Sequence, residues 1–409
     1  MNNKKALKNQ GSRLRKAIKT VWGGVKPEPE QSGMAAQTSI QPEAEKEIMQ
    51  IPQCIFPWVF LGLGWGKYGV CCNSYSMDFG DISQAGQLSD VTRDIFNSDS
   101  YLQMRASLAK GCLNENCVTC PQRTYGGGGI QQIVNQYTNA LLQIQDEAQR
   151  HRARDNFAKG VEAAVFGKSS VEHAPSFLNI CCGSACNIRC KFCYNCRMEY
   201  DPDPADIFRV IDRVHEHLIF VQLTGGEPLV TRAGREILRE FAAGRYKFAV
   251  RLGTNAQWTD FDLLKPVNLA EVQISSDGAT KEVYEKVRVG GDFDDLIQNI
   301  KKFVEFQKSK PYMVLRLNYT VTSDNYMDIP QAVKRYEDLG LFVTFNLVMR
   351  EKDDPQNIKE RPDLYEDLLK YADLGIEQSG SVFTRDCLLN IKKTIQEKML
   401  TQEKQRSDT

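Results

Sequence analysis

Between residues 177 and 348 the chain repeats one pattern, and that repetition constrains the fold more than any other feature. Six short apolar, β-rich runs occur there: FLNICC (177–182), LIFVQL (218–223), KFAVRLG (247–253), EVQIS (271–275), VLRLNYTV (314–321) and FVTFNLV (342–348). Helical patterns at 205–217, 233–243, 293–306 and 329–339 lie between them. Strands that alternate with helices form a parallel sheet with the helices packed outside it. The expected class is therefore α/β. Periodicity alone does not say whether the sheet curls into a barrel.

The 409 residues allow about two to three domains. Hydrophobic residues make up 42% of the chain and 29 glycines add to them, which is enough for a full core and argues against global disorder. No apolar run reaches the length of a membrane span. Lys+Arg and Asp+Glu each number 52, so neither a membrane nor nucleic acid is expected as a partner. The N-terminus shows no apolar stretch with a small-residue cleavage site, and a cytoplasmic location is expected.

Residues 1–26 carry eight Lys/Arg and no acid, and 27–50 are rich in Pro, Glu and Gln, so 1–50 reads as a basic tail and linker. A cysteine-bearing unit follows at 51–124. A helical connector is expected at 125–174, opened by the four glycines 126–129. The strand–helix unit covers 175–350, and a helical extension with a charged helix at 388–403 covers 351–409.

Thirteen cysteines in such a chain point to metal binding rather than disulfides. They fall into two groups, with Cys387 apart. The second group contains Cys181, Cys182, Cys186, Cys190, Cys193 and Cys196 and follows directly on the first expected strand. That is the C-terminal edge, where α/β sheets place their ligands. Three thiolates in a short loop can hold three irons of a [4Fe–4S] cluster and leave the fourth iron open to another ligand. Zinc is the rival, but a structural zinc site wants two Cys-x-x-Cys pairs or added histidines. The four histidines, His151, His173, His215 and His217, have no finger-like spacing to this loop.

Cys186-x3-Cys190-x2-Cys193, with the aromatic Phe192 before the last cysteine, resembles the cluster loop of the radical S-adenosylmethionine (radical SAM) enzymes. One strand–helix unit later comes Thr224-Gly225-Gly226-Glu227-Pro228, similar to the family's Gly-Gly-Glu-Pro segment that holds the methionine ammonium of SAM. The segments Gly253-Thr254-Asn255 and Ser275-Ser276-Asp277 resemble strand ends of the family. Arg288 resembles the arginine that reaches the SAM carboxylate, a group suited to a guanidinium fork. The resemblance implies a partial (β/α)6 TIM-like barrel with a catalytic [4Fe–4S] cluster on Cys186, Cys190 and Cys193. It places SAM against Phe192, Thr224, Gly225, Gly226, Glu227, Pro228, Ser275 and Arg288.

The first group contains Cys54, Cys71, Cys72, Cys112, Cys117 and Cys120. Together with Gly66, Gly80, Arg105 and Pro121, its spacing resembles the SPASM/twitch modules that carry an auxiliary [4Fe–4S] cluster in many radical SAM enzymes. Cys54, Cys71, Cys117 and Cys120 match the ligand positions. Cys72 could take the place of Cys71, and Cys112 is a spare. Such modules usually follow the barrel, whereas this one precedes it. Four cysteines also describe a structural zinc site.

The implied reaction is reductive cleavage of SAM at the cluster to a 5′-deoxyadenosyl radical, which abstracts hydrogen from a substrate. An electron donor such as flavodoxin or ferredoxin is the implied partner. The basic N-terminus leans the substrate towards a peptide or protein. A small molecule (sugar, aminocyclitol or nucleotide) is the alternative, and a non-enzymatic iron–sulfur or zinc-binding regulator is the rival of another class.

Overall fold

The computed structural model describes residues 54–71, 79–112, 117, 140–194 and 198–407. The basic tail, the linker, Gly126 to Gly129, Cys72, Cys120 and Cys196 lie outside the described residues. The strands, in chain order, are β1 (Phe60–Gly64), β2 (Lys67–Gly69), β3 (Phe177–Cys181), β4 (Arg189–Cys190), β5 (Phe220–Thr224), β6 (Ala249–Thr254), β7 (Leu269–Ser275), β8 (Arg288–Val289), β9 (Val314–Val321) and β10 (Phe342–Leu347). Helices of seven residues or more are α1 (Asp99–Ala109), α2 (Glu147–Val165), α3 (Pro204–Val214), α4 (Arg232–Ala242), α5 (Lys281–Val287), α6 (Phe293–Lys308), α7 (Ile329–Asp338), α8 (Tyr365–Gln378) and α9 (Val382–Ser407).

All six expected runs become strands of one sheet, in the spatial order β10-β9-β7-β6-β5-β3, and every neighbouring pair is parallel. This is the mixed α/β, partial-barrel architecture. Its helices begin where the sequence supplies a cap. Asp203 caps α3, Thr231 caps α4, Thr280 caps α5 and Asp292 caps α6, each by accepting a backbone N–H of the first turn. Each helix turns its apolar stripe to the sheet. On α4, Ala233, Ile237, Leu238 and Phe241 are buried at a helical period. The strands answer with alternation. On β9, Leu315, Leu317, Tyr319 and Val321 are buried, while Arg316, Asn318 and Thr320 lie on the other face.

The cysteine-bearing N-terminal unit extends the same sheet. β1 pairs parallel with β3, and β2 folds back antiparallel on β1, so the sheet has eight strands ending in β3-β1-β2. The Tyr101 hydroxyl binds this hairpin to α1, lying 3.1 Å from the Phe60 carbonyl and 3.0 Å from that of Gly69. Arg105, one turn further along α1, is fully buried. Its Nε donates to Pro57 O at 2.8 Å and its Nη1 to Ser169 O at 3.0 Å. Its guanidinium lies 4.5 Å from the Phe96 ring centroid. Trp58 Nε1 donates to Lys168 O at 2.7 Å, joining the unit to the segment that leads into β3. Among the described residues no helix is long and apolar enough to cross a membrane.

Arg105→Ala leaves buried carbonyls without donors and opens a cavity at this junction. It should cost about 2–4 kcal/mol in urea unfolding, against about 1 kcal/mol for Tyr101→Phe. Because β1 and β3 share a ladder, the loss should appear as a lower midpoint of one transition. A separate early transition, with the remainder unchanged, would show that the N-terminal unit unfolds on its own.

Candidate active site

The loop after β3 and the turn after β5 are fastened to each other by main-chain bonds. Cys182 N–H donates to Thr224 O at 2.7 Å, Gly226 N–H to Gly183 O at 2.7 Å and Glu227 N–H to Ala185 O at 2.9 Å. This approach is possible only for glycine. A Cβ on Gly226 would stand 2.1 Å from Ala185 O, and one on Gly225 (φ +121°) would stand 2.7 Å from Gly183 O. The two motifs that lie about 40 residues apart in sequence thus form one rim at the C-terminal edge of the sheet.

A third strand end joins them. Asn255, just past β6, lies with its Nδ2 3.5 Å from the Cys186 sulfur and donates to Asn187 Oδ1 at 2.8 Å. The Glu227 carboxylate is committed to the same strand end. It accepts from Asn255 N–H at 2.6 Å, Thr254 Oγ1 at 2.9 Å and Leu229 N–H at 3.3 Å, and the residue is 1% exposed. Burial pushes its carboxyl up to about 7, against the pull of those donors and of Arg288. Its observed partners are therefore donors of this chain, and its structural effect is to fix the Gly-Gly turn to β6.

Beyond Cys186 the loop runs out as β4, which pairs antiparallel with β8 so that Cys190 stands opposite Arg288. Lys191 N–H extends the ribbon by donating to Val287 O at 3.0 Å. The Arg288 Nε meets Asp277 Oδ2 at 2.6 Å, and both residues are buried. Asp277 Oδ1 in turn accepts Thr320 N–H at 2.6 Å. The edge of Arg288 that carries Nε is thus turned to Asp277. Ser275 ends β7, partly exposed, on the sheet face of Gln273. Thr224 donates to Ile180 O at 3.3 Å, Pro228 is buried, and Phe192 is half-buried beside Cys193.

Cys186 is exposed, and Cys190 and Cys193 are half-buried. Burial raises the Cys190 thiol to about 11; Arg288 opposes this, while the charges of Asp277, Cys193 and Cys186 add to it. Although Cys186 as a residue is exposed, its sulfur is partly desolvated by the loop around it, which also raises its thiol, with Glu227 and Cys193 adding to the effect and Asn255 opposing it. The three sulfurs lie within reach of one another's charge, which suits a metal cluster that displaces their protons and neutralises them together. Among the described residues no three His, Cys, Asp or Glu side chains converge as the ligands of a single ion. By donor chemistry, three thiolates on a rim that backbone can approach closely fit a [4Fe–4S] cluster with one open iron.

Of the N-terminal cysteines, Cys54 precedes the short helical turn Phe56–Val59, and Cys71 follows β2 by two residues. Because β1 and β2 are antiparallel, both lie towards the N-terminal edge of the sheet, opposite the Cys186 loop. Cys117 is described, and Cys120 lies outside the described residues. Sequence reasoning missed the roles of Asn255 and Asp277 as partners of Cys186 and Arg288. Asp277 could have been suspected as a charged residue directly after an apolar strand.

The Radical SAM superfamily model matches residues 180–327. The chain is 24% identical over 225 residues to a probable GTP 3′,8-cyclase of Methanocaldococcus jannaschii, covering 53% of this chain and 72% of that protein. It is 28% identical over 124 residues to mycofactocin maturase MftC of Mycobacterium tuberculosis, covering 29% of this chain and 31% of the maturase. Among solved structures, Streptococcus suis SuiB bound to S-adenosylmethionine aligns at 19% identity and a TM-score of 0.39, over 50% of this chain and 48% of that one. Residues 180–327 are a radical SAM superfamily domain, and the protein is an enzyme of the radical SAM class. Membership brings with it a [4Fe–4S] cluster and SAM as cofactors.

Glu227→Ala should destabilise the protein even before any cluster is installed, by about 2–4 kcal/mol, because three buried donors lose their acceptor. Urea unfolding of cluster-free protein measures this. A variant as stable as wild type would mean that Glu227 serves a ligand and not the turn.

Proposed function

We propose that this enzyme cleaves SAM reductively on the rim formed by the Cys186 loop and the Gly225–Gly226 turn, and removes a hydrogen atom from a polar substrate held against the sheet. One observation carries the reading: Gly183 and Ala185 of the cysteine loop accept the N–H groups of Gly226 and Glu227, so cluster loop and SAM turn are one structure. When bound, the cluster and SAM supply one-electron cleavage of a carbon–sulfur bond and a carbon radical able to take hydrogen.

The chain's own residues bind and orient. Cys186, Cys190 and Cys193 hold three irons. Asn255 steadies Cys186, and the Arg288–Asp277 pair sets the ribbon that carries Cys190. Gly225 and Gly226 allow main chain to meet the methionine end of SAM, while Glu227 keeps that turn in place. Thr224, Pro228, Phe192 and Ser275 border the same rim, and the Arg288 edge not used by Asp277 is the one offered to the SAM carboxylate. Cys54, Cys71, Cys117 and Cys120 hold an auxiliary [4Fe–4S] cluster. A flavodoxin- or ferredoxin-like protein supplies the electron.

The peptide reading of the substrate leans on the basic N-terminus, which lies outside the described residues. The observation that bears on the substrate is the sheet face away from the helices. It carries Gln222, Arg251, Glu271, Gln273, Arg316 and Asn318, and it favours a small polar molecule. The GTP named for the archaeal relative is a molecule of that kind.

Reconstituted protein with dithionite and SAM should yield 5′-deoxyadenosine, and Cys186→Ala, Cys190→Ala or Cys193→Ala should abolish it. About eight irons per chain are expected, falling to about four in Cys54→Ala/Cys71→Ala. Activity that survives Cys190→Ala would overturn the ligand assignment. About four irons with one zinc in wild type would replace the auxiliary cluster by a structural zinc site.

A further inference from the structure

The polar face of the sheet is not uniform. Its lower part holds two cations and one anion in adjacent register. Gln222, Arg251 and Glu271 stand side by side across β5, β6 and β7, and Arg316 of β9 is level with Gln273, two residues above Glu271. Arg251 Nη2 lies 2.9 Å from Glu271 Oε2, and Arg316 Nε lies 3.4 Å from Oε1. Gln273 donates to the same Oε1 at 2.8 Å, and Arg251 Nη1 donates to Gln222 at 3.2 Å. Although burial pushes the other way, the two guanidinium groups hold the Glu271 carboxyl below its ordinary value, so it is ionised. Two guanidiniums facing one carboxylate leave one net positive charge.

That charge sits on a poorly hydrated face. The side chains of Arg251, Glu271 and Arg316 are 13%, 9% and 17% exposed. Neither Arg251 Nε nor Arg316 Nε makes a hydrogen bond among the described residues. Both guanidiniums lie over rings, Arg251 at 4.5 Å from the Phe220 centroid and Arg316 at 4.9 Å from that of Phe383, contacts that limit their movement. Beneath them a cavity of about 50 Å³, walled by Ala140, Ala270 and Val314, has room for water and nothing larger. Above Arg251, towards the rim, the next position on that face is Gly253. Gly253 is partly exposed, as are Gln273 and Asn318 on the neighbouring strands, so solvent reaches this face from the rim. A Cβ on Gly253 would already be in contact with Leu223 O and Thr224 Cγ2 at 3.5 and 3.8 Å, so a larger side chain there crowds the approach to Arg251.

We propose that Arg251 and Arg316 anchor an oxyanion of the substrate, a phosphate or a carboxylate, below the SAM rim. This rests on the reading of the rim as the SAM site. Gln222, in the row of Arg251, lies two residues below Thr224, so the anchor is about 7 Å below the rim. A small elongated molecule can therefore leave its anion on the arginines and present a carbon to the rim. A poorly hydrated guanidinium pair binds such a group bidentately and rejects neutral analogues.

The test titrates the reconstituted enzyme, with SAM present, with inorganic phosphate and separately with acetate, at constant ionic strength set by chloride. The melting temperature is followed. A saturable rise is expected with phosphate if the substrate anion is a phosphate, and with acetate if it is a carboxylate. It should vanish in Arg316→Gln and in Gly253→Val, which leaves all three charged residues in place and keeps the test open if Arg316→Gln fails to fold. Glu271→Gln, which frees both guanidiniums, should tighten the apparent Kd about tenfold. No saturable effect of either anion in wild type would overturn the proposal and leave the triad as a purely structural brace. So would a saturable effect that persists in Arg251→Gln/Arg316→Gln. Formation of 5′-deoxyadenosine without substrate is measured alongside. Its absence in wild type would sink the SAM reading, whatever the anion result.

Discussion

The site depends first on the buried ion pair between Asp277 and Arg288. Asp277 lies two residues past the end of β7 and is tied to β9 through Thr320 N–H, while its own carbonyl accepts from Asn325 Nδ2 at 2.9 Å. Arg288 stands in β8, the strand that holds β4 and Cys190. One 2.6 Å contact thus connects the sheet to the loop that carries the thiols. Burial works against the Arg288 charge, but Asp277 and Cys190 outweigh it and the guanidinium stays protonated. Removing one partner of such a pair strands the other charge, at a cost of about 3–5 kcal/mol. A ribbon of two residues per strand has almost no stability of its own. Its position is therefore set by this pair and by what lies around it.

A second clamp lies on the outside of the same loop. Asp324, after β9, meets Lys191 at 3.0 Å and Lys286 at 2.9 Å, and accepts from Gln356 at 2.9 Å. Burial pushes its carboxyl up, but the ammonium groups of Lys286 and Lys191 hold it down to about 2. Lys191 belongs to the cysteine loop, Lys286 to α5 and Gln356 to the segment after β10. The guanidinium of Arg350, in that same segment, lies 4.6 Å from the ring of Tyr194, next to Cys193. The inner pair and the outer clamp together hold residues 189–194 from both sides. Pre-positioned thiols lose less freedom when they take up metal, and that ordering favours binding.

The six barrel strands were legible because each is a short apolar run between helical patterns, and their parallel pairing followed from that alternation, whereas their order in the sheet is known from the structure. The rim was legible because cysteine spacing and a double glycine are local signals. The pairs Arg288–Asp277 and Glu227–Asn255 were not, since they join residues from separate strand–helix units and no periodicity records them. Arg288 and Glu227 were expected to face SAM, and the structure shows the chain-side partners each also holds. β4 and β8 are too short for any pattern to show. The run FLGLG at 60–64 reads as apolar, but the cysteines around it drew attention to metal and away from its place beside β3.

That place changes what the N-terminal unit can do. β1 begins near Cys54 and Cys71 and ends at the rim, about 13 Å further along the strand. At its end Trp65 (φ 56°) and Gly66 (φ 76°) turn into β2. A tryptophan in the left-handed region is strained, and its surroundings must hold it there. Its ring packs 5.4 Å from that of Tyr200, and Tyr200 O accepts the N–H of Ser184 at 2.8 Å, at the start of the cysteine loop. The unit therefore reaches both edges of the sheet: cysteines at one, an aromatic brace on the Cys186 loop at the other. A hydrogen-bonded strand between them is stiff, so a metal that orders Cys54 and Cys71 also orders the strand that sets Trp65. The N-terminal unit supports the rim through that strand, with or without a metal at its cysteines.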